Sequence, residues 1–397
     1  MNEIVKLDIP LEHEIAPYFQ PIVSLQTQQI IAYESLGRRI MKGQVHSLGP
    51  FFNNSEISDE QHLIIDRILR ERAFAKLAQS SLTCQLFVNL KPSWIFTVFK
   101  NTGELPTLQL MDKFDLLASR IVIEITEEEF NGNLLELKEI LDNYRTRGCS
   151  LAIDDIGSGF SCLDRIAIIQ PQILKMDLTI LKKSAKHEGY RALLRSFAII
   201  SSQMGASLLV EGVETKEDLQ NALLAGARYA QGFLFAPALP DFLPADYFSE
   251  MVKEEVRLFH AKELAKYSRL FEAEQGLNDL FNSDAVITSA DKADQVIEQF
   301  LPAALDNGIR VYICTEDGNQ ISSNYFRQAN SLWSKDEKFR GANWSWRPYF
   351  IPNILTMRNR RIGILSQAYA DLDTANLIQT YSCPLGSGFY LFIDLTI

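Results

Sequence analysis

Six short apolar runs each carry, at or near the C-terminal end, a residue able to bind metal or move a proton. Ile30 to Leu36 carries Glu34, Gln85 to Leu90 carries Asn89, and Ile121 to Thr126 carries Glu124. Ser150 to Ile156 delivers Asp154 and Asp155 side by side, Ile173 to Asp177 contributes Lys175, and Ser207 to Val213 contributes Glu211. Unpaired charges inside apolar segments are too costly to be incidental. Five carboxylates and one amide, with no histidine or thiolate among them, make a hard oxygen donor set. Such a set suits Mg2+ or Mn2+ rather than zinc or copper. Adjacent aspartates let one carboxylate bridge two ions, the arrangement used for in-line attack on phosphodiesters. Lys175 and Glu211 then remain to orient and deprotonate the attacking water. A second chemistry fits part of the pattern. Enolase-like barrels bind Mg2+ through carboxylates on successive strand ends and use a lysine to abstract a proton. They need an N-terminal capping domain, which is not expected here, and they do not require an Asp-Asp pair.

These side chains converge only if the runs are neighbouring strands. Tyr18 to Leu25 and Tyr229 to Phe233 complete a set of eight strand-like runs, rich in Ile, Val and Phe and bounded by Gly, Asn, Asp or Pro. Amphipathic stretches lie between most of them: Asp59 to Leu77, Leu134 to Tyr144 and Lys216 to Leu224, the last followed by the helix-stopping Gly226. Repeated strand–helix units with near-continuously apolar strands imply a parallel sheet covered on both faces. Seven or eight units in about 240 residues fit a closed TIM-like (β/α)8 barrel, whose C-terminal strand ends form the active face. The short polar connection Gln26 to Gln29 makes the first pair an antiparallel hairpin, an irregularity in that barrel. Pro237, Pro240 and Pro244 mark a domain edge. A charged helix from Asp246 to Phe281 then follows, about 35 residues and roughly 50 Å long. Helices of that length connect domains or pair with a second copy. Beyond it, Arg310 to Cys314, Ile378 to Cys383 and Phe389 to Asp394 read as strands, Ala290 to Leu305 as a helix, and Glu316-Asp317-Gly318-Asn319 as a tight turn. The expected organisation is a barrel over 1–245, a connecting helix over 246–284 and a small α+β domain over 285–397.

Composition narrows the setting. With 397 residues, 47% hydrophobic and 22% charged, the chain is globular, and no apolar run approaches the ~18 residues that span a bilayer. The five cysteines are sparse and lack CxxC spacing, as expected of reduced thiols in the cytoplasm. The formal net charge of −11 argues against partners such as nucleic-acid polymers or anionic membranes.

The motifs resemble those of EAL domains, the cyclic-di-GMP phosphodiesterases. Tyr18-Phe19-Gln20-Pro21-Ile22-Val23 followed by Glu34-Ser35-Leu36-Gly37-Arg38 is similar to the opening of that family. Phe87-Val88-Asn89-Leu90, Glu124-Ile125-Thr126-Glu127 and Asp154-Asp155-Ile156-Gly157-Ser158-Gly159-Phe160-Ser161 resemble its asparagine strand, its ExTE strand and its DDFGTGYSS loop. Leu174-Lys175-Met176-Asp177, Glu211-Gly212-Val213-Glu214 and Gln231-Gly232-Phe233 complete the series over roughly residues 15–240. The resemblance implies that Glu34, Asn89, Glu124 and Asp154 hold a first metal, with Asp154 and Asp155 serving a second. It implies that Lys175 holds the nucleophilic water, Glu211 is the general base and Glu127 braces the loop from Ile156 to Ser161. Gln20, Leu36, Arg38 and Gln231 would contact the dinucleotide, with Arg38 on phosphate. Three positions depart from the family pattern: Ser35 for alanine, Ile156 for phenylalanine and Met176 for isoleucine. None removes a ligand, so the implied activity is hydrolysis of cyclic di-GMP to linear pGpG with two Mg2+ or Mn2+ ions. Calcium is expected to inhibit because its looser coordination misplaces the water. The alternative is a receptor whose catalysis is held off by loop or dimer geometry.

The whole-chain order of EAL domain, long helix and aromatic C-terminal part resembles family members with a PAS-like C-terminal domain, and implies a homodimer under sensory control. Trp346, Arg347, Tyr349, Tyr369 and Asp371 are spaced like the small-molecule pocket of Cache/PAS domains. There Arg347 could pair a ligand carboxylate and Asp371 a ligand amine.

Overall fold

Residues 9–126, 130, 132–154, 156, 162–184, 187–281, 285–301, 307–328, 330–347, 349–371, 374 and 376–396 are described by a computed structural model of the chain. They separate into two compact units, Met1–His260 and Ala261–Ile397. In the first unit the strands are β1 (Ile15–Ser24), β2 (Gln29–Met41), β3 (Gln44–Ser47), β4 (Gln85–Leu90), β5 (Ile121–Ile125), β6 (Ser150–Ile153), β7 (Ile173–Met176), β8 (Ser207–Val210) and β9 (Tyr229–Gln231). Their order β1-β9-β8-β7-β6-β5-β4-β2 closes through a β1–β2 pairing into an eight-stranded barrel. β1 is antiparallel to both neighbours, and all other adjacent pairs around the barrel are parallel. The irregular first strand follows from chain length: the connection after Ser24 is too short for a crossover, so β2 must return antiparallel. The small strand β3, absent from the sequence expectation, folds back on β2 through Lys42 and Gly43, both at positive φ.

The barrel interior shows why the polar residues converge. Ala32, Phe87, Val122, Ala152, Ile173 and Leu209 are buried together with Ile22 as one apolar cluster inside the strands. Each of the first six lies two residues before Glu34, Asn89, Glu124, Asp154, Lys175 and Glu211, respectively. Alternate residues of a strand share a face, so an apolar layer in the barrel automatically carries a polar layer above it. Outside, the helix Asp59–Gln79 starts at Ser58, whose side chain accepts from the Gln61 amide, and buries Ile65, Leu69, Ala73, Phe74 and Leu77. Leu134–Arg147 is capped by Asn133 and stopped by left-handed Gly148, and Lys216–Leu224 begins with a Thr215/Asp218 capping box.

The chain leaving the barrel is strapped to its first strands. Phe19 and Leu239 exchange backbone hydrogen bonds of 2.7 and 3.0 Å. The buried Tyr33 hydroxyl donates to Leu243 O at 2.9 Å and accepts from Leu243 N at 2.8 Å. Helix Ser249–Leu280 then begins against the barrel, with Val252 fully buried. Its buried Glu255 accepts from Gln220 Nε2 at 2.9 Å and pairs with Lys216 at 2.9 Å.

The second unit is α+β. It contains β10 (Gly308–Thr315), β11 (Asn324–Arg327), β12 (Trp333–Asp336), β13 (Ile364–Leu365), β14 (Tyr369–Ala370), β15 (Leu377–Gly386) and β16 (Phe389–Thr396), with helices Ala290–Phe300 and Phe350–Arg360. The sheet order is β12-β11-β10-β16-β15-β13, with β14 on β15, and all pairings are antiparallel. The turn after β10 closes on Gly318 at φ +90, where a Cβ would lie 2.7 Å from Ser345 N. Leu277 and Phe281, from the end of the long helix and just beyond it, join this unit's core with Ile297, Val311, Ile313 and Tyr381. Asn278 brackets Gly363, donating to its carbonyl at 3.1 Å and accepting from its amide at 2.5 Å.

Replacing Tyr33 by Phe leaves the half-buried Leu243 amide and carbonyl without their partner. The expected loss is about 1–3 kcal/mol, read as a lower denaturation midpoint of the barrel with the denaturant slope unchanged.

Candidate metal and nucleotide site

Lys175, 1% exposed, is the hub of the polar layer. Its Nζ contacts Glu124 Oε1 directly and lies 2.6 Å from Glu211 Oε1, 3.2 Å from Asp154 Oδ1 and 3.6 Å from Glu34 Oε2. Strand register brings the carboxylates to it: Asn89 stands opposite Glu124, and Gln20 opposite Glu34. Asp154 and Glu211 lie one residue beyond β6 and β8, yet their amides continue the ladder to Ile125 O at 3.0 Å and Met176 O at 2.9 Å. Those bonds hold them as firmly as strand residues. Glu34 is fixed at both oxygens, accepting from Asn89 Nδ2 at 3.0 Å and from Gln231 Nε2 at 2.6 Å. Gln231 in turn donates to Gln20 Oε1 at 3.2 Å.

Electrostatics follow from burial and crowding. Burial pushes Glu124 and Glu211 well above the usual carboxylate range, against the pull of Lys175. Burial also opposes charge on Lys175, but Glu124, Glu211, Glu34 and Asp154 together hold it well above an ordinary lysine. Asp154 is likewise desolvated, and Lys175 keeps its pKa below the usual value. Four carboxylates around one ammonium leave the layer short of positive charge. Ligand oxygens of Glu124, Asp154 and Glu211 lie within 4.8 Å of one another, and the buried Glu124 Oε2 has no hydrogen-bond partner. Close oxygen donors, an orphaned carboxylate oxygen and missing positive charge fit hard divalent cations.

The sequence-predicted residues fall into three groups. Glu34, Asn89, Glu124, Asp154, Lys175 and Glu211 are brought together, with Gln20 and Gln231 beside Glu34. Leu36 and Arg38 line, with Asn89, an adjoining cavity of about 430 Å3. Burial lowers the pKa of Arg38, whose Nη1 donates to Gly37 O at 3.0 Å. Asp155 and Glu127 lie outside the described residues. Asp66, Lys91 and Trp94 also line the cavity. The sequence reading missed them, although Asp66 and Arg70, paired at i,i+4 on a helix that buries Ile65 and Leu69, were a visible signal.

The C-terminal set divides differently. Arg347, Tyr349 and Tyr369 line a small cavity with Arg310, Tyr312 and Asp394. Tyr349 and Tyr369 hydroxyls meet at 3.4 Å, and Arg347 stacks 4.7 Å over Trp346, which is 62% exposed. Asp371 is engaged by Arg310 at 3.1 Å and by Thr374, and does not line that cavity.

Comparison with known proteins agrees with this geometry. Residues 6–238 match the EAL domain, and residues 242–397 match the EAL-domain associated signalling protein domain. The uncharacterized EAL-domain containing protein YkuI of Bacillus subtilis is 34% identical over 96% of this chain and 94% of its own length. The cyclic di-GMP phosphodiesterase RocR of Pseudomonas aeruginosa is 31% identical over 59% of this chain and 60% of its own. The crystal structure of B. subtilis YkuI in complex with substrate c-di-GMP and calcium superposes with a TM-score of 0.88 at 32% identity, covering 97% of both chains. Because the EAL match alone spans more than half of the 397 residues, the chain belongs to the EAL domain family of cyclic-di-GMP phosphodiesterases.

Proposed function

We propose that the barrel hydrolyses cyclic di-GMP to linear pGpG with two divalent ions, Mg2+ or Mn2+. The observation that carries this reading is the polar layer itself, four carboxylates gathered on one buried ammonium with too little positive charge. Glu34, Asn89, Glu124 and Asp154 would hold one ion, and Asp154 with Asp155 the other. Bound ions would supply an activated water and offset charge on the phosphodiester. Lys175 donates to the attacking water and fixes its position. Glu211 accepts the proton as the water oxygen bonds to phosphorus and the bond to the 3′ oxygen breaks; that oxygen takes a proton from solvent to become a 3′ hydroxyl, and the phosphate stays on the 5′ side. Gln20, Leu36, Arg38 and Gln231 seat the dinucleotide, Arg38 against a phosphate.

Regulation by the C-terminal unit and assembly as a homodimer belong to the same proposal. Helix Ser249–Leu280 supports it, since Leu264, Tyr267 and Phe271 are exposed at helical spacing. Removing residues after Leu280 is expected to change sedimentation or turnover. A coupling of about 5- to 150-fold is the scale to look for. Identical values to the full chain would remove the regulatory role.

Asp154→Asn is expected to abolish pGpG production while leaving thermal unfolding close to that of the parent. Near-normal turnover would eliminate the two-ion assignment. Glu211→Gln is expected to retain cyclic di-GMP binding and lose about 100- to 10,000-fold in rate, because an amide cannot take the proton. Turnover should appear with Mn2+ or Mg2+ and fall when Ca2+ replaces them. Tight binding without turnover under any of these ions would mark the barrel as a receptor.

A further inference from the structure

We propose that Glu255, near the start of helix Ser249–Leu280, is a positioning residue for Glu211: it fixes the helix Lys216–Leu224, and that helix fixes the backbone on which Glu211 rides. This assignment rests on the reading of Glu211 as the proton acceptor. Glu211 stands one residue past β8, and only Gly212 to Thr215 separate it from the helix. Lys175 reaches its carboxylate at 2.6 Å, but the aim of that carboxylate depends on where the backbone places it. The far end of the short segment belongs to the helix. The Glu214 and Thr215 amides both donate to Asp218 Oδ2, at 3.2 and 2.9 Å, and Thr215 Oγ1 accepts from the Asp218 amide at 3.1 Å. Segment and first helical turn are therefore one hydrogen-bonded piece, and a shift of the helix is passed directly toward Glu211.

What holds the helix is a buried carboxylate. Glu255 is 3% exposed, and both its oxygens are engaged on this one neighbour. Oε1 pairs with Lys216 Nζ at 2.9 Å, and Oε2 accepts from Gln220 Nε2 at 2.9 Å. The same Gln220 amide also donates to the Glu255 backbone carbonyl at 2.8 Å. Lys216 and Gln220 are four residues apart and share a helix face, so one side chain grips both the first turn and the middle of the helix. Leu219, Ala222 and Val252 join the barrel's apolar core. Apolar contact of that kind is non-directional, so the directional bonds of Glu255 set where the helix sits along and about its axis. The other site residues have separate anchors. Gln231 receives a bond from the Val213 amide at 3.0 Å, but it is also paired to Ile22 of β1 and donates to Glu34 and Gln20. Glu34 and Glu124 lie within β2 and β5. Loosening the helix therefore displaces Glu211 while the metal and nucleotide contacts stay in place.

The test measures turnover of cyclic di-GMP with Mn2+ and calorimetric affinity in calcium buffer, both on the full chain. Glu255→Ala is expected to lower kcat by about 10- to 100-fold and to leave affinity within a few-fold of the parent. Glu255→Gln has the same shape and keeps an acceptor for Gln220 but cannot pair with Lys216, so a smaller loss in the same direction is expected. Lys216→Arg preserves the ion pair and should keep the parental rate. The sharpest comparison places Glu255→Ala in a Glu211→Gln background, where it should cost little further rate, because the group it positions is already gone. A merely structural role would slow both backgrounds alike. An unchanged kcat in Glu255→Ala would overturn the assignment and leave the functional reading standing. So would equal losses in the two backgrounds, or affinity that falls as far as kcat in both Glu255 variants. A parent without turnover would overturn the functional reading, and this assignment with it.

Discussion

A single buried ammonium group governs the barrel. Lys175 cannot leave the interior, because β7 is covered on both faces, and its charge cannot stand there without the carboxylates of Glu34, Glu124, Asp154 and Glu211. Those carboxylates equally cannot be buried without it. Strand register, the ladder bonds that extend β6 and β8, and the amides of Asn89 and Gln231 all serve to hold four acids at one cation. One cation is too few for four acids, so the fold is left with a standing affinity for more positive charge.

Much of this was legible in the sequence, for a physical reason. Each polar residue of the layer sits two places after an apolar one, so the period of a strand ties Phe87 to Asn89 and Val122 to Glu124. Boundaries were less legible. Asp154 and Glu211 read as strand residues because their amides bond like strand amides, although the regular ladders stop at Ile153 and Val210. What the sequence hid were partnerships that depend on distant segments meeting. Asp66 looked like an ordinary polar residue of an amphipathic helix until the cavity brought it toward Asn89. The pairing of Asp371 with Arg310, 61 positions earlier, was equally hidden. The strands β11 and β12, at one side of the second sheet, were missed because polar residues such as Asn324, Arg327, Lys335 and Asp336 interrupt their apolar pattern.

The long helix is held at each end by polar clamps rather than by apolar contact alone. Within the first unit Glu255 meets Gln220 and Lys216, on the helix that follows Glu211. Within the second, Asn278 brackets Gly363, and Glu274 accepts from the Leu365 amide at 2.7 Å. Hydrogen bonds of this kind fix rotation about the helix axis, which a greasy stripe does not.

The apolar layer beneath the site has a consequence for traffic. Ile22, Phe87, Val122 and Leu209 fill the barrel without exposed surface, so the polar layer is closed from below by described residues. In the proposed reaction, neither the ring nor the more extended linear product can pass through that apolar layer, so both must come and go on the other side of the polar layer. Linear product lingering on that side would then occupy the ground the next ring needs, so clearance of linear dinucleotides from the surroundings would bear on the pace of the proposed reaction.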